Sequence, residues 1–244
     1  MTALVRAELL KLCLTRATWA FVAVALVLVG LRVALLLGAV GQVGGPASHS
    51  EELTLAVLST SGLGIFVIVL LGVVTMTREF HHATWTSTLL TTPDRRRVVL
   101  AKVFAASLAG VGLALLLLVL TAVAGLISPD VTIVVDGAVV RFVLGQIMSA
   151  ACWAWLGVAI GGLIRNQTAA LVAPLLWLLL VETLLPAYGL GVATPWTPGG
   201  ATRALGGDLF PGALPPWAAV LVLLGYGSVL TALGTRRLVR SDVC

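Results

Sequence analysis

Charge is what this sequence has least of. Only 10% of its 244 residues are Asp, Glu, Lys or Arg, against about 25% in an ordinary soluble domain. So little charge cannot cover a globule facing water, and a soluble fold is excluded. Cysteine is scarce as well. Cys13, Cys152 and Cys244 stand far apart with no CxxC pair, which removes a disulfide framework and a zinc site. Cys152 lies in an apolar run and reads as a small buried hydrophobe. The histidines are His49, His81 and His82. Glu79-Phe80-His81-His82 lacks the HExxH spacing that sets two imidazoles on one helical face, so the adjacent pair reads as a solvated loop face. Ser61-Gly62 has no serine-hydrolase partners. No GxxxxGK[ST] run occurs, and a chain without one cannot cradle ATP phosphates in a P-loop. An enzyme is not what these residues describe.

What the chain has is apolar length: 59% of it is hydrophobic and its mean hydropathy is +1.10. Crossing a hydrocarbon core of about 30 Å takes roughly 20 apolar residues in a helix. Six stretches qualify, at about 19–40, 55–76, 103–127, 139–164, 168–188 and 217–233. Open strands would leave backbone groups unpaired in lipid, so all six are expected to be helices. The expected fold class is therefore an all-α integral membrane protein with a six-helix transmembrane domain over 19–244. Arg6, Lys11 and Arg16 before the first stretch resemble the start of a secretory signal, and Ala39-Val40-Gly41 loosely resembles its cleavage site. The stretch is longer than the roughly 7–15 residues of a signal core, so an uncleaved first spanning helix is expected.

The basic residues supply orientation. Arg6, Lys11 and Arg16 precede the first span; Arg78, Arg95, Arg96, Arg97 and Lys102 follow the second; Arg165 follows the fourth; Arg236, Arg237 and Arg240 follow the sixth. Those twelve share one side, whereas Arg141 and Arg203 lie opposite and Arg32 lies within the first span. The positive-inside rule places the twelve, and both termini, in the cytoplasm. The net charge of +5 is thus a set of topology signals beside apolar runs, and no nucleic-acid partner is expected.

Two segments outside the spans are long. The outer one, 189–216, is rich in Gly and Pro, including Pro195, Pro198 and Pro211; turns and short re-entrant pieces are expected there. The cytoplasmic one, 77–102, is polar and charged. Its residues 78–90 lack Gly and Pro and suit a short helix, which Pro93 would stop, while Asp94 can cap the third spanning helix. It reads either as a lever across the cytoplasmic face or as a solvated hairpin with basic anchors. The first 18 residues suit an interfacial helix. Glu8, Lys11 and Thr15 share one face and Val5, Leu9 and Leu12 another, although Arg6 breaks the pattern.

Two charges fall inside spans. Arg32 is about 20 Å beyond Trp19 and Glu182 about 21 Å beyond Thr168, at 1.5 Å per residue. A lone mid-membrane charge costs roughly 2.5–3.5 kcal/mol on insertion scales. Pairing of Arg32 with Glu182, or snorkelling to the outer interface, would lower that cost. Gly157 and Gly161, with Gly162 adjacent, permit close helix approach, inside one subunit or at a dimer seam. Pro174 and Pro186 are expected to kink the fifth helix and help admit Glu182. Trp19, Trp196 and Trp217 suit interface anchors.

Arg78-Glu79-Phe80, Ala83-Thr84, Leu89-Leu90, Thr92-Pro93, Arg95–Arg97 and Lys102 resemble the coupling segment of ABC-2 type transporter permeases. Glu8-Leu9-Leu10-Lys11-Leu12 with Thr15-Arg16 and Trp19 is similar to that family's N-terminal segment. Arg165-Asn166-Gln167-Thr168 and the terminal Leu238–Val243 fit its small six-helix bacterial branch. The resemblance runs over essentially the whole chain. It implies the permease subunit of an ATP-driven exporter in the cell membrane, working with a separate ABC ATPase subunit that holds the ATP and Mg. This chain itself then needs no cofactor, and a second permease copy or a paralogue completes the complex. The resemblance places ATPase coupling on Arg78, Glu79, Phe80, His82, Thr84, Leu89, Leu90, Pro93 and Arg95. A stand-alone secondary transporter or channel is the alternative. The transported substrate is not legible in these residues.

Overall fold

The computed structural model describes residues 1–42, 50–81, 95–133, 135–164, 166–208 and 210–240. The expected coupling residues His82, Thr84, Leu89, Leu90 and Pro93 lie outside them. Among the described residues every regular element is helical and none is a strand. Helix α1 (Thr2–Leu14) leads directly into α2 (Arg16–Gly38), and α3 (Glu51–Ser59) and α4 (Gly64–His81) make the second span. Helices α5 (Arg95–Ile127) and α6 (Gly137–Ile164) are the third and fourth. The fifth is built from α7 (Gln167–Leu176) and α8 (Glu182–Ala187), α9 (Pro198–Gly206) is short, and α10 (Pro216–Arg240) is the sixth. Among the described residues six helical stretches are therefore long and apolar enough to cross a membrane. They fall on the six apolar stretches of the sequence, the third beginning six residues earlier, at Arg97.

The second and fourth spans are the most buried, while the first, fifth and sixth turn most of their surface outward. In a bilayer that outward surface meets lipid, so apolar exposure costs nothing there. What pulls α4 and α6 to the centre is the absence of side chains at their crossing. A Cβ on Gly157 would run into the Val69 carbonyl, one on Gly72 into the Ala154 carbonyl, and one on Gly161 would stand 2.9 Å from the Val73 oxygen. The Gly157–Gly161 stripe thus packs backbone on backbone within this chain.

Three local features depart from a plain bundle. The second span is interrupted by a tight turn at Thr60–Leu63. Ser59, Thr60 and Ser61 each donate a hydroxyl bond to the carbonyl three residues back, which tightens the helix locally. The fifth span widens into a π turn at Trp177–Val181. Pro174 in α7 has no N–H to give, and loss of that bond relaxes the turn that follows. Pro186 lies within α8. The segment 189–216 holds a 3-10 turn at Gly191–Trp196 and then α9, whose Gly199, Gly200, Ala201, Ala204 and Leu205 are buried against α6 and α10. The N-terminal helix stops at Leu14, four residues earlier than expected, because Thr15 takes an extended backbone (φ −88°, ψ 124°). Its faces also differ from expectation: Glu8 and Leu12 are the buried pair, while Leu10 and Leu14 are exposed.

Candidate functional site

Polar chemistry gathers at the two ends of the bundle. At the end shared by α1, α4 and α5, four charged side chains meet. Glu8 and Lys11 lie one turn apart on α1, Glu79 in the last turn of α4, and Lys102 two turns into α5. Lys102 Nζ bonds Glu79 Oε1 at 2.6 Å and Glu8 Oε2 at 2.7 Å. Lys11 Nζ closes the ring, 2.6 Å from Glu8 Oε1 and 3.3 Å from Glu79 Oε1. The Lys102 side chain is 1% exposed and that of Lys11 54%, so one cation is sealed in and the other faces outward. A charge buried as deeply as Lys102 is tolerable only when fully paired, and two carboxylates do this. Burial pushes the Glu8 carboxyl upward, yet the charge and hydrogen bond of Lys102, then those of Lys11, outweigh it and hold it below its usual 4.5. Burial likewise lowers Lys11, and Glu8 and then Glu79 more than reverse this, raising it above its usual 10.5. Glu79 Oε2 is buried without a hydrogen-bond partner among the described residues.

Beside this node opens a cleft of ≈ 610 Å³, walled by the four charges, by Arg78, and by apolar residues of α1, α2 and α4. Trp19 caps its elbow by donating its indole N–H to the Cys13 carbonyl at 2.8 Å.

At the other end Glu182 organises the start of α9. The first turn of any helix leaves its N–H groups without intrahelical partners. Here Pro198 has no N–H, Gly199 N–H donates to Glu182 Oε1 at 2.7 Å, and Gly200 N–H donates to the Thr197 hydroxyl at 3.1 Å. The indole of Trp177 donates to the same Glu182 oxygen at 3.0 Å. A Cβ on Gly199 would meet that carboxylate, so a side chain there would push the movable end of Glu182 off the helix start. At the helix's other end Gly207 adopts φ 92°, and Arg141 donates to the Ala204 carbonyl at 3.2 Å. A second cleft of ≈ 600 Å³ adjoins, reached by Glu52, Gln146, Trp153, Glu182, Arg203 and Asp208 among others.

The expected pairing of Arg32 with Glu182 does not form. Glu182 is committed to α9, while Arg32 is exposed on α2 beside Leu28, Leu31 and Leu35. Arg32 is six residues from the end of α2, about 9 Å at 1.5 Å per residue, within snorkelling reach of an interface. Of the expected coupling residues, Glu79 enters the buried node and Arg78 lines the cleft beside it, while Phe80 and Arg95 fall on the ends of α4 and α5. The node's other members, Glu8, Lys11 and Lys102, were visible as charges but not as partners. Their signal was Lys102 itself, a cation inside the apolar run Val98–Phe104, which demands an anion.

A family model for ABC-2 family transporter proteins matches residues 4–188, from α1 through the fifth span. The chain belongs to the ABC-2 transporter family. No curated protein matches it. An ABC-2 permease is the transmembrane component of an ABC transporter, and the six apolar helices make this one a multi-pass membrane protein. The match takes in both α1 and the segment joining α4 to α5. The permease's charged node therefore ties together family elements that lie on either side of its first two spans.

Proposed function

We propose that this ABC-2 permease is the membrane half of an exporter in the cell membrane, driven by a separate ABC ATPase seated on the segment between α4 and α5. The observation that carries this is the Glu8–Lys11–Glu79–Lys102 node. A lever that transmits ATPase closure needs rigid ends, and the node clamps both flanks of that segment, the end of α4 and the start of α5, to α1. Four side chains sharing one set of bonds move as a unit. These residues hold no P-loop, and the ABC ATPase would hold the ATP and Mg. The twelve basic residues on one side support a cytoplasmic position for α1, the lever and both termini. Two permease copies, or this chain and a paralogue, would complete the complex.

The test is reconstitution of the full-length permease in vesicles, with and without an ABC ATPase that co-purifies with it. ATP-dependent transport is expected only with both, and Glu79→Ala is expected to lower transport at least tenfold while leaving the ATPase's basal hydrolysis intact. Transport by the permease alone on an ion gradient would establish a secondary transporter or channel instead.

A further inference from the structure

We infer that the cleft beside the charged node binds one anionic phospholipid, its phosphate held by Arg78 and Lys11 and an acyl chain lying on Leu12, Phe21, Leu71 and Val74. The charges come first. Five charged groups line the cleft: two carboxylates and three cations. Glu8 gives both oxygens to lysines, and Glu79 gives Oε1 to the same two lysines. Glu79 Oε2 stays buried without a partner among the described residues, but two carboxylates stand against three cations, both carboxylates already bond Lys11 and Lys102, and Arg78 is the surplus charge. Half-buried at the wall, it bonds to none of the described residues. A guanidinium presents a fork that fits phosphate oxygens, and Lys11, over half exposed, adds a second donor from the facing helix. The hydroxyl of Thr18 also lines the space.

Depth decides between a lipid and a free anion. The lining descends from Arg78 to Leu71 on α4 and from the Thr15 elbow to Phe21 on α2, some 9–10 Å along each helix at 1.5 Å per residue. That is the reach from headgroup level into the upper acyl layer, beside a Trp19 placed as an interface anchor. Free phosphate would leave the apolar lower wall uncovered, whereas a diacyl lipid covers it. Which leaflet supplies the lipid rests on the orientation proposed above; the site itself does not. A lipid wedged between α1–α2 and α4 would stabilise the node that flanks the lever.

Native mass spectrometry of the full-length permease, released from mixed micelles of phosphatidylglycerol and phosphatidylcholine, reads the site directly. One phosphatidylglycerol is expected to be retained. Arg78→Gln is expected to reduce that retention about fivefold, the scale of one interfacial cation, while Arg6→Gln, which removes a charge of α1 outside the cleft, leaves it unchanged. Thr18→Trp fills the cleft without touching its charges and is expected to expel the lipid too, so the inference stays testable if Arg78→Gln does not fold. Equal retention of phosphatidylcholine, displacement by millimolar inorganic phosphate, or an equal loss from Arg6→Gln would each overturn it. Because no ATPase is present in the measurement, its outcome is independent of whether the permease proves to be ATP-driven.

Discussion

The two ends of this bundle keep polar groups next to lipid by different means. At the α1–α4–α5 end, two anions and two cations neutralise one another across chain separations of 3 to 94 residues. At the α8–α9 end, one carboxylate answers backbone N–H and an indole across 5 and 17 residues. The first is a clamp between distant segments, and removing any member leaves a charge stranded. The second is a local stitch that lets the short helix α9 start buried against α6 and α10, where its first N–H groups would otherwise be unsatisfied. Charge pairs between distant segments suit the force-transmitting role proposed for the first end, and a local bond suits an end that holds a shape.

Breaking the clamp is the severest test of that contrast. Lys102→Met leaves Glu8 and Glu79 buried together with only the half-exposed Lys11 between them, and loss of one partner of a buried ion pair costs about 3–5 kcal/mol. The unfolding midpoint of the purified permease should fall accordingly. Adding Glu8→Gln and Glu79→Gln should return much of the loss, because neutral side chains of similar size remove the stranded charge. If the triple variant is as unstable as Lys102→Met alone, the node is held by packing and the contrast fails.

The stitch should cost less. Glu182→Ala strands the part-buried Gly199 N–H, worth about 1–3 kcal/mol when a donor is left buried, and also releases the more exposed Trp177 indole. Glu182→Gln keeps an acceptor oxygen in place and should recover most of the loss. Amide exchange at the start of α9 should quicken in Glu182→Ala and not in Lys102→Met. Combining Glu182→Ala with Arg32→Gln should give the sum of the two single effects, since the two residues share no bond.

How far each end could be read from sequence follows from the same chemistry. Side-chain charges are countable, so the membrane class, the six spans and the surplus of cations at one end were legible. Lys102 inside Val98–Phe104 was a visible anomaly, and counting it as a topology marker hid its need for Glu8 and Glu79. Glu182 was legible as a costly charge, but its partner was not, because backbone N–H groups occur at every residue except proline. Matching the depth of Arg32 therefore pointed to the wrong partner. The break at Thr60–Leu63 was hidden for a related reason. Hydroxyls that bond their own helix look, in sequence, like any polar residue in a span, whereas Pro174 removes a donor outright and announced its distortion.

The smallest effect concerns the rim of the clamp, and pH resolves it. Glu8 sits below its usual value, so its contribution to stability is present above about 4.5 and is lost as pH falls through the lower folded value. Lys11 is raised, so its contribution is present below about 10.5 and disappears as pH climbs through the higher folded value. The melting midpoint should therefore be flat between those limits as far as these two groups are concerned, with the acid arm blunted in Glu8→Gln. The alkaline arm should be blunted in Lys11→Gln. Lys11 is more than half exposed, and exposed pairs are worth about 0–1 kcal/mol and are screened by salt. At neutral pH Lys11→Gln should thus cost far less than Lys102→Met, and raising salt should shrink even that. The clamp's strength then resides in the sealed cation, and a Lys11→Gln loss as large as that of Lys102→Met would show that its outward-facing member bears equal weight.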